Sequence, residues 1–174
     1  MNKTGNIVGL TTTNIVNNEL PQQENEKERE LYKEYNDKGQ LNYRGRKLNG
    51  FYQGSGEKFY KNGNIKYKGL WKNGKPDGKG ISYYPNGSKV YEGQWVGGCP
   101  DGKGHSFYKD GSKFYQGCWK KGKYDGPGTE YDKDGHCQYS GNWKMGYYDG
   151  FGGTYDSNGC VQANGYWVQG KLCG

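Results

Sequence analysis

Aliphatic side chains are scarce in this sequence. From residue 31 onward there are only eleven Leu, Ile and Val, too few to pack facing layers into a sandwich or an α/β domain. No apolar run approaches the length that crosses a bilayer. The N-terminus has no basic region followed by an apolar stretch, so a secretory signal is not expected. None of the five cysteines (Cys99, Cys118, Cys137, Cys160 and Cys173) stands in C-x-x-C spacing, which removes the usual zinc site. Reduced thiols in the cytoplasm are the expectation. Nucleophiles do not recur with a base at catalytic spacing. The G-x-G pairs are not followed by a helix pattern, so they are not phosphate loops. No enzyme activity, catalytic residue, cofactor or bound metal is expected.

What is abundant is glycine and aromatic side chains: 33 Gly, 18 Tyr and 5 Trp in 174 residues. They fall into a frame of 24 residues that tiles the chain as 43–66, 67–90, 91–114, 115–138 and 139–162, with a half repeat at 31–42 and a truncated one at 163–174. Tyr43, Tyr67, Tyr91, Tyr115 and Tyr139 open the frames, and Ala163 opens the last. Gly45, Gly69, Gly93, Gly117, Gly141 and Gly165 follow two residues on; Trp71, Trp95, Trp119, Trp143 and Trp167 follow two further, Lys47 standing in the first. Such a frame implies units stabilised by their neighbours.

Tyr-x-Gly-x-Trp has period two, which puts its three residues on one face of a strand. NGKPDG (73–78) and its equivalents read as turns, with Gly for positive φ and Asp for capping. A second strand follows, as in GKGISYY (78–84); the period-two count from Gly54-x-Gly56 sets Phe59, Tyr83, Phe107, Tyr131 and Tyr155 opposite the glycines, and the sequence by itself leaves open which face they take. Asn62-Gly63, Asn86-Gly87, Asp110-Gly111, Asp134-Gly135 and Asn158-Gly159 mark the next turns. The expected fold is all-β: an elongated, single-layer, twisted antiparallel meander of about twelve strands built from stacked hairpins. Residues 1–30, polar and ending in ENEKERE (24–30), are expected to form a flexible arm outside the array at 31–174.

The segments YKGLWKNGKPDGKG (67–80) and YEGQWVGGCPDGKG (91–104) carry the pattern Y-x-G-x-W-x-x-G-x-x-x-G-x-G. That pattern resembles the MORN repeat (membrane occupation and recognition nexus). The frame here is one residue longer than the common repeat of that family, and Asp77, Asp101, Asp125 and Asp149 stand where the family often has His. The resemblance implies a hairpin array and a scaffold role, with family members in cilia, in cytoskeletal rings and at membrane junctions, and with phosphoinositide binding proposed for several. With thirty residues beyond the repeats, an appended enzyme domain is not expected.

Charge is uneven. Residues 43–90 hold eleven basic and two acidic groups, a net +9, whereas 91–138 hold seven of each. Within the basic frames Arg44, Arg46, Lys66, Lys68 and Lys72 lie out of phase with the rings, so a basic stripe is expected on the far face. It would attract anions such as inositol phosphates or acidic protein tails, or RNA, although a nucleic acid is not the partner expected; the competing reading is a solvated face. The row Trp71, Trp95, Trp119, Trp143 and Trp167 is either a peptide-binding groove or the packing of the fold. The Asp row recurs roughly 10 Å apart, too far to share calcium, and suits turn capping. An unpaired edge strand at Tyr166, Trp167 and Val168 predicts dimerisation or strand addition.

The expected function is a scaffold or adaptor for protein partners, in a ciliary, axonemal or other cytoskeletal assembly. The alternatives are attachment to anionic phospholipid through the basic frames and, less favoured, a glycan- or choline-binding module, which YDSNGCVQANGYW (155–167) resembles locally.

Overall fold

A computed structural model of the chain describes residues 31–173; the arm expected over 1–30 lies outside the described residues. Strands β1 (Tyr32–Tyr35), β2 (Leu41–Leu48), β3 (Phe51–Phe59), β4 (Ile65–Lys72), β5 (Lys75–Tyr83), β6 (Lys89–Val96) and β7 (Cys99–Phe107) are followed by β8 (Lys113–Lys120), β9 (Lys123–Tyr131), β10 (Cys137–Lys144), β11 (Tyr147–Tyr155), β12 (Val161–Val168) and β13 (Lys171–Cys173). They form one antiparallel sheet in chain order. There are 13 strands rather than about twelve, because Lys171–Cys173 turns back to add the last.

Two kinds of turn alternate. Within a repeat, Asn73-Gly74 joins β4 to β5 with φ of 50° and 78°, the two left-handed residues of a type I′ turn that matches strand twist. The turn is therefore shorter than the stretch 73–78 suggests: Pro76, Asp77 and Gly78 already belong to β5, at a bulge where the register shifts between Gly69 and Trp71. Between repeats, the Gly63 N–H donates to Tyr60 O at 3.0 Å and the Tyr60 N–H to Asn64 O at 2.8 Å. Gly63 has φ of 85°, closing a type I turn with a left-handed glycine.

Eleven glycines line up across the sheet from β2 to β12: Gly45, Gly56, Gly69, Gly80, Gly93, Gly104, Gly117, Gly128, Gly141, Gly152 and Gly165, each opposite the next. Their role is size. A Cβ on Gly80 would strike the Tyr67 ring, and one on Gly69 would lie 2.5 Å from the Gly80 Cα. Each repeat's tyrosine lies flat over its glycine pair, and its hydroxyl donates to a carbonyl three residues on, as Tyr91 to Gln94 O at 2.9 Å.

The tryptophans fill the space between tyrosines. Tyr67 meets Trp71 and Trp95 edge to face at centroid distances of 4.9 and 5.2 Å, a favoured arrangement of ring quadrupoles. Indole N–H groups reach back one repeat: Trp95, Trp119, Trp143 and Trp167 donate to Gly80, Gly104, Gly128 and Gly152 carbonyls at 2.9–3.2 Å. Trp71 Nε1 is buried without a partner among the described residues. The core is thus a one-sided row of rings, with Tyr43, Tyr115 and Tyr139 fully buried.

Candidate partner-docking face

The ring side is consumed by its own packing. Trp71, Trp95, Trp119, Trp143 and Trp167 are only 5–9 % exposed, so the tryptophan row is the interior of the fold and offers no open groove. Tyr52, Tyr124 and Tyr148 cover it further by stacking on Tyr43, Tyr115 and Tyr139 at 3.7–3.9 Å.

The opposite face carries the polar residues that alternate with the glycines. Phe59 lies on this side, beneath the Arg44 guanidinium at 5.8 Å, and Phe107 and Tyr131 lie similarly beneath Lys89 and Lys113. The second-strand aromatics named here therefore sit opposite the glycine side.

Of the predicted basic stripe, Arg44 and Lys68 flank one carboxylate. Arg44 Nε donates to Glu57 Oε2 at 2.9 Å, and Lys68 Nζ lies 3.2 Å from Oε1. Burial works to raise the Glu57 pKa, but these two hydrogen bonds and their charges outweigh it and hold the carboxyl below its ordinary value. The pair is thus partly neutralised. Lys66 packs over the Tyr60 ring at 5.7 Å. Arg46 and Lys72 are exposed near the strand ends that lead into the type I′ turns, Lys72 opposite Lys75 in register. The five residues share a region without converging on one point.

Two cations missing from that stripe, Lys79 and Lys103, stand between the glycines of G-x-G in β5 and β7. Both are exposed, and neither forms an ion pair among the described residues. The alternation that marks Lys68 marks them equally; they lie in the second strand, which the stripe did not extend to. Beside them, His105 has its pKa lowered by burial and by the Lys113 charge, so it adds little positive charge near neutrality.

The Asp row caps turns, and it does so across repeats. Asp77, Asp101, Asp125 and Asp149 each accept from the first turn residue of the following repeat, Gly97, Lys121, Met145 and Gln169, at 3.1–3.4 Å. The second turn residue donates to the preceding repeat too, as Gly98 to Pro76 O at 2.8 Å. Asp132, Asp134 and His136 cluster within 4.8 Å, but Asp132 accepts from the Asp134 and His136 N–H groups and so organises its own loop.

The C-terminal edge differs from expectation. Tyr166, Trp167 and Val168 are not an open edge: they pair with Cys173, Leu172 and Lys171 of β13. Among the described residues the open side of β12 is Val161 to Gly165, which β13 is too short to reach. All five cysteines are free thiols.

Residues 43–65, 67–89, 91–113, 115–137 and 139–161 each match the family model of the MORN repeat. Lys66, Val90, Phe114 and Gln138 are the single residues left between consecutive matches. No curated protein matches the chain.

Proposed function

Because this chain belongs to the MORN-repeat family, an all-β repeat module that mediates protein and membrane interaction and is not itself catalytic, we propose that it is a scaffold or adaptor that docks protein partners in the cytoplasm. A ciliary, axonemal or other cytoskeletal assembly is the proposed setting, on family grounds. The observation that supports docking on the face away from the rings is the burial of all five tryptophans, which leaves that face as the exposed, chemically varied surface.

A second reading is supported by the exposed Arg46 and Lys72 near the turns: attachment to phosphoinositide-bearing membrane through the basic repeats. The test pairs affinity capture by the full chain with co-sedimentation on phosphoinositide vesicles. The scaffold reading expects a stoichiometric protein partner and vesicle binding no greater than that of Arg46→Glu/Lys66→Glu/Lys72→Glu. Vesicle binding abolished by that triple variant, without a protein partner, selects the membrane. A homodimer through the open side of β12 is a further proposal; light scattering that shows a monomer at all concentrations rules it out.

A further inference from the structure

The glycine line has a consequence on the side where it carries no rings. Between the two flanking rows of side chains the floor is bare backbone, and a shallow trough results. One stretch, of about 480 Å³, has Gly69, Gly80 and Gly93 as floor and Lys68, Lys79, Ile81, Glu92 and Lys103 among its walls. The next stretch shares Lys103 and continues past His105 and Gln116. The trough therefore runs across the strands, along the glycine line.

We propose that this trough binds an extended acidic segment of a protein partner, with carboxylates three residues apart. The inference rests on the scaffold reading and names the chemistry of the partner. Lys79 and Lys103 occupy equivalent places one repeat apart, on β5 and β7. Two strand spacings put them roughly 9.6 Å apart, and three residues of a polyproline-II segment span roughly 9.3 Å and bring the side chain back to the same side. A segment lying along the floor thus presents a carboxylate to each lysine in turn, while the residues between meet glycine backbone and Ile81. Lys68, across the trough from Lys79, adds a third cation that is only half-committed, since it shares Glu57 with Arg44. Glu92, the acidic wall residue, is 2.6 Å from Lys89, so its charge is already answered. What remains unanswered in the trough is positive, which favours an acidic occupant.

The site is tested with the full chain and a fluorescein-labelled peptide of repeating Glu-Ser-Gly, about twelve residues long, read by anisotropy in about 50 mM salt, where screening is modest. Binding is expected, with a loss of roughly tenfold or more in Lys79→Glu/Lys103→Glu. Lys144→Glu/Lys171→Glu, an equal change of charge on β10 and β13 away from the lysine pair, is expected to leave it unchanged. Repeating Glu-Ser, with the wrong spacing, is expected to bind more weakly, and repeating Gln-Ser-Gly not at all. The proposal is overturned if the Glu-Ser-Gly peptide does not bind, if both double variants weaken it equally, or if spacing makes no difference. It is also overturned if the Lys79/Lys103 variant loses binding to phosphatidylserine vesicles while retaining the peptide. Tryptophan fluorescence of each variant verifies the fold. If a captured protein partner binds the Lys79/Lys103 variant as well as the parent, the acidic-segment inference falls while the scaffold reading stands.

Discussion

At the residue scale the fold turns on side chains that are absent. Gly128 pairs with Gly117 and Gly141 on its two neighbouring strands, and a Cβ on it would overlap the Tyr115 ring. That ring cannot yield, because its hydroxyl is tied to Cys118 O and it is stacked on Tyr124. Gly128→Ala is expected to destabilise by about 3 kcal/mol, seen as a lowered urea midpoint, whereas Ser55→Ala on the open face should leave the midpoint unchanged. The tryptophans offer a sharper comparison. Trp95 Nε1 donates to Gly80 O at 3.0 Å, while Trp71 Nε1 is buried and has no partner among the described residues. Removing a made hydrogen bond costs stability, and removing an orphaned donor does not. Trp95→Phe is therefore expected to cost about 1 kcal/mol more than Trp71→Phe in parallel urea titrations. The row of rings was legible from Tyr-x-Gly-x-Trp. Its depth of burial was not, because a sheet with one layer leaves ring faces open unless neighbouring repeats pack edge to face, and that packing is set by the tertiary structure.

At the element scale the hairpin is the unit, and its type I′ turn is where local sequence and geometry disagree. Asn49 and Asn73 suit the first turn position, but Lys121, Met145 and Gln169 hold φ of 48–53° there, a region that a Cβ disfavours. The strain is held by the neighbouring repeat. Met145 N–H donates to Asp125, and Gly146 N–H to Tyr124 O. Met145→Gly keeps both donors and relieves the Cβ clash, so it is expected to raise stability by about 1 kcal/mol, read as a higher thermal midpoint. The Asp row was legible as turn chemistry. Its span to the next repeat was not, since an Asx-turn within its own loop satisfies the same local pattern, and only sheet register brings residue i to the N–H of i+20.

At the scale of the described array, strand order follows chain order and each hairpin meets only its two neighbours. Stability should behave as a sum over repeats and their junctions. Deleting residues 91–114 joins Val90 to Tyr115 in frame and is expected to give a folded, shorter sheet with a lower midpoint. Deleting only 91–102 breaks the frame and should abolish the native circular-dichroism spectrum. The ring row also sets the response to alkali. Burial lifts the pKa of Tyr43 and Tyr91 to about 12, and pushes Tyr67 and Tyr115 up further. The unfolded chain gives up these protons near pH 10 while the folded chain keeps them. Stability is therefore full below about pH 10 and falls as pH rises towards about 12. Phenolate absorbance is expected to rise cooperatively with unfolding in that window, rather than as independent titrations.

The sequence by itself determined the repeat, its hairpin and the shared face of the rings in Tyr-x-Gly-x-Trp, because strand parity and turn residues act over a few neighbours and leave a period behind; the face of the second-strand rings was decided by the structure. Tertiary structure alone decided how long each turn is, that Lys171–Cys173 covers Tyr166 to Val168, that Glu57 takes up Arg44 and Lys68, and that Lys79 and Lys103 share one trough. Those outcomes depend on bulges that shift register and on which strand lies beside which. Strand parity and turn chemistry act over near neighbours and do not say which strands lie side by side or in what register.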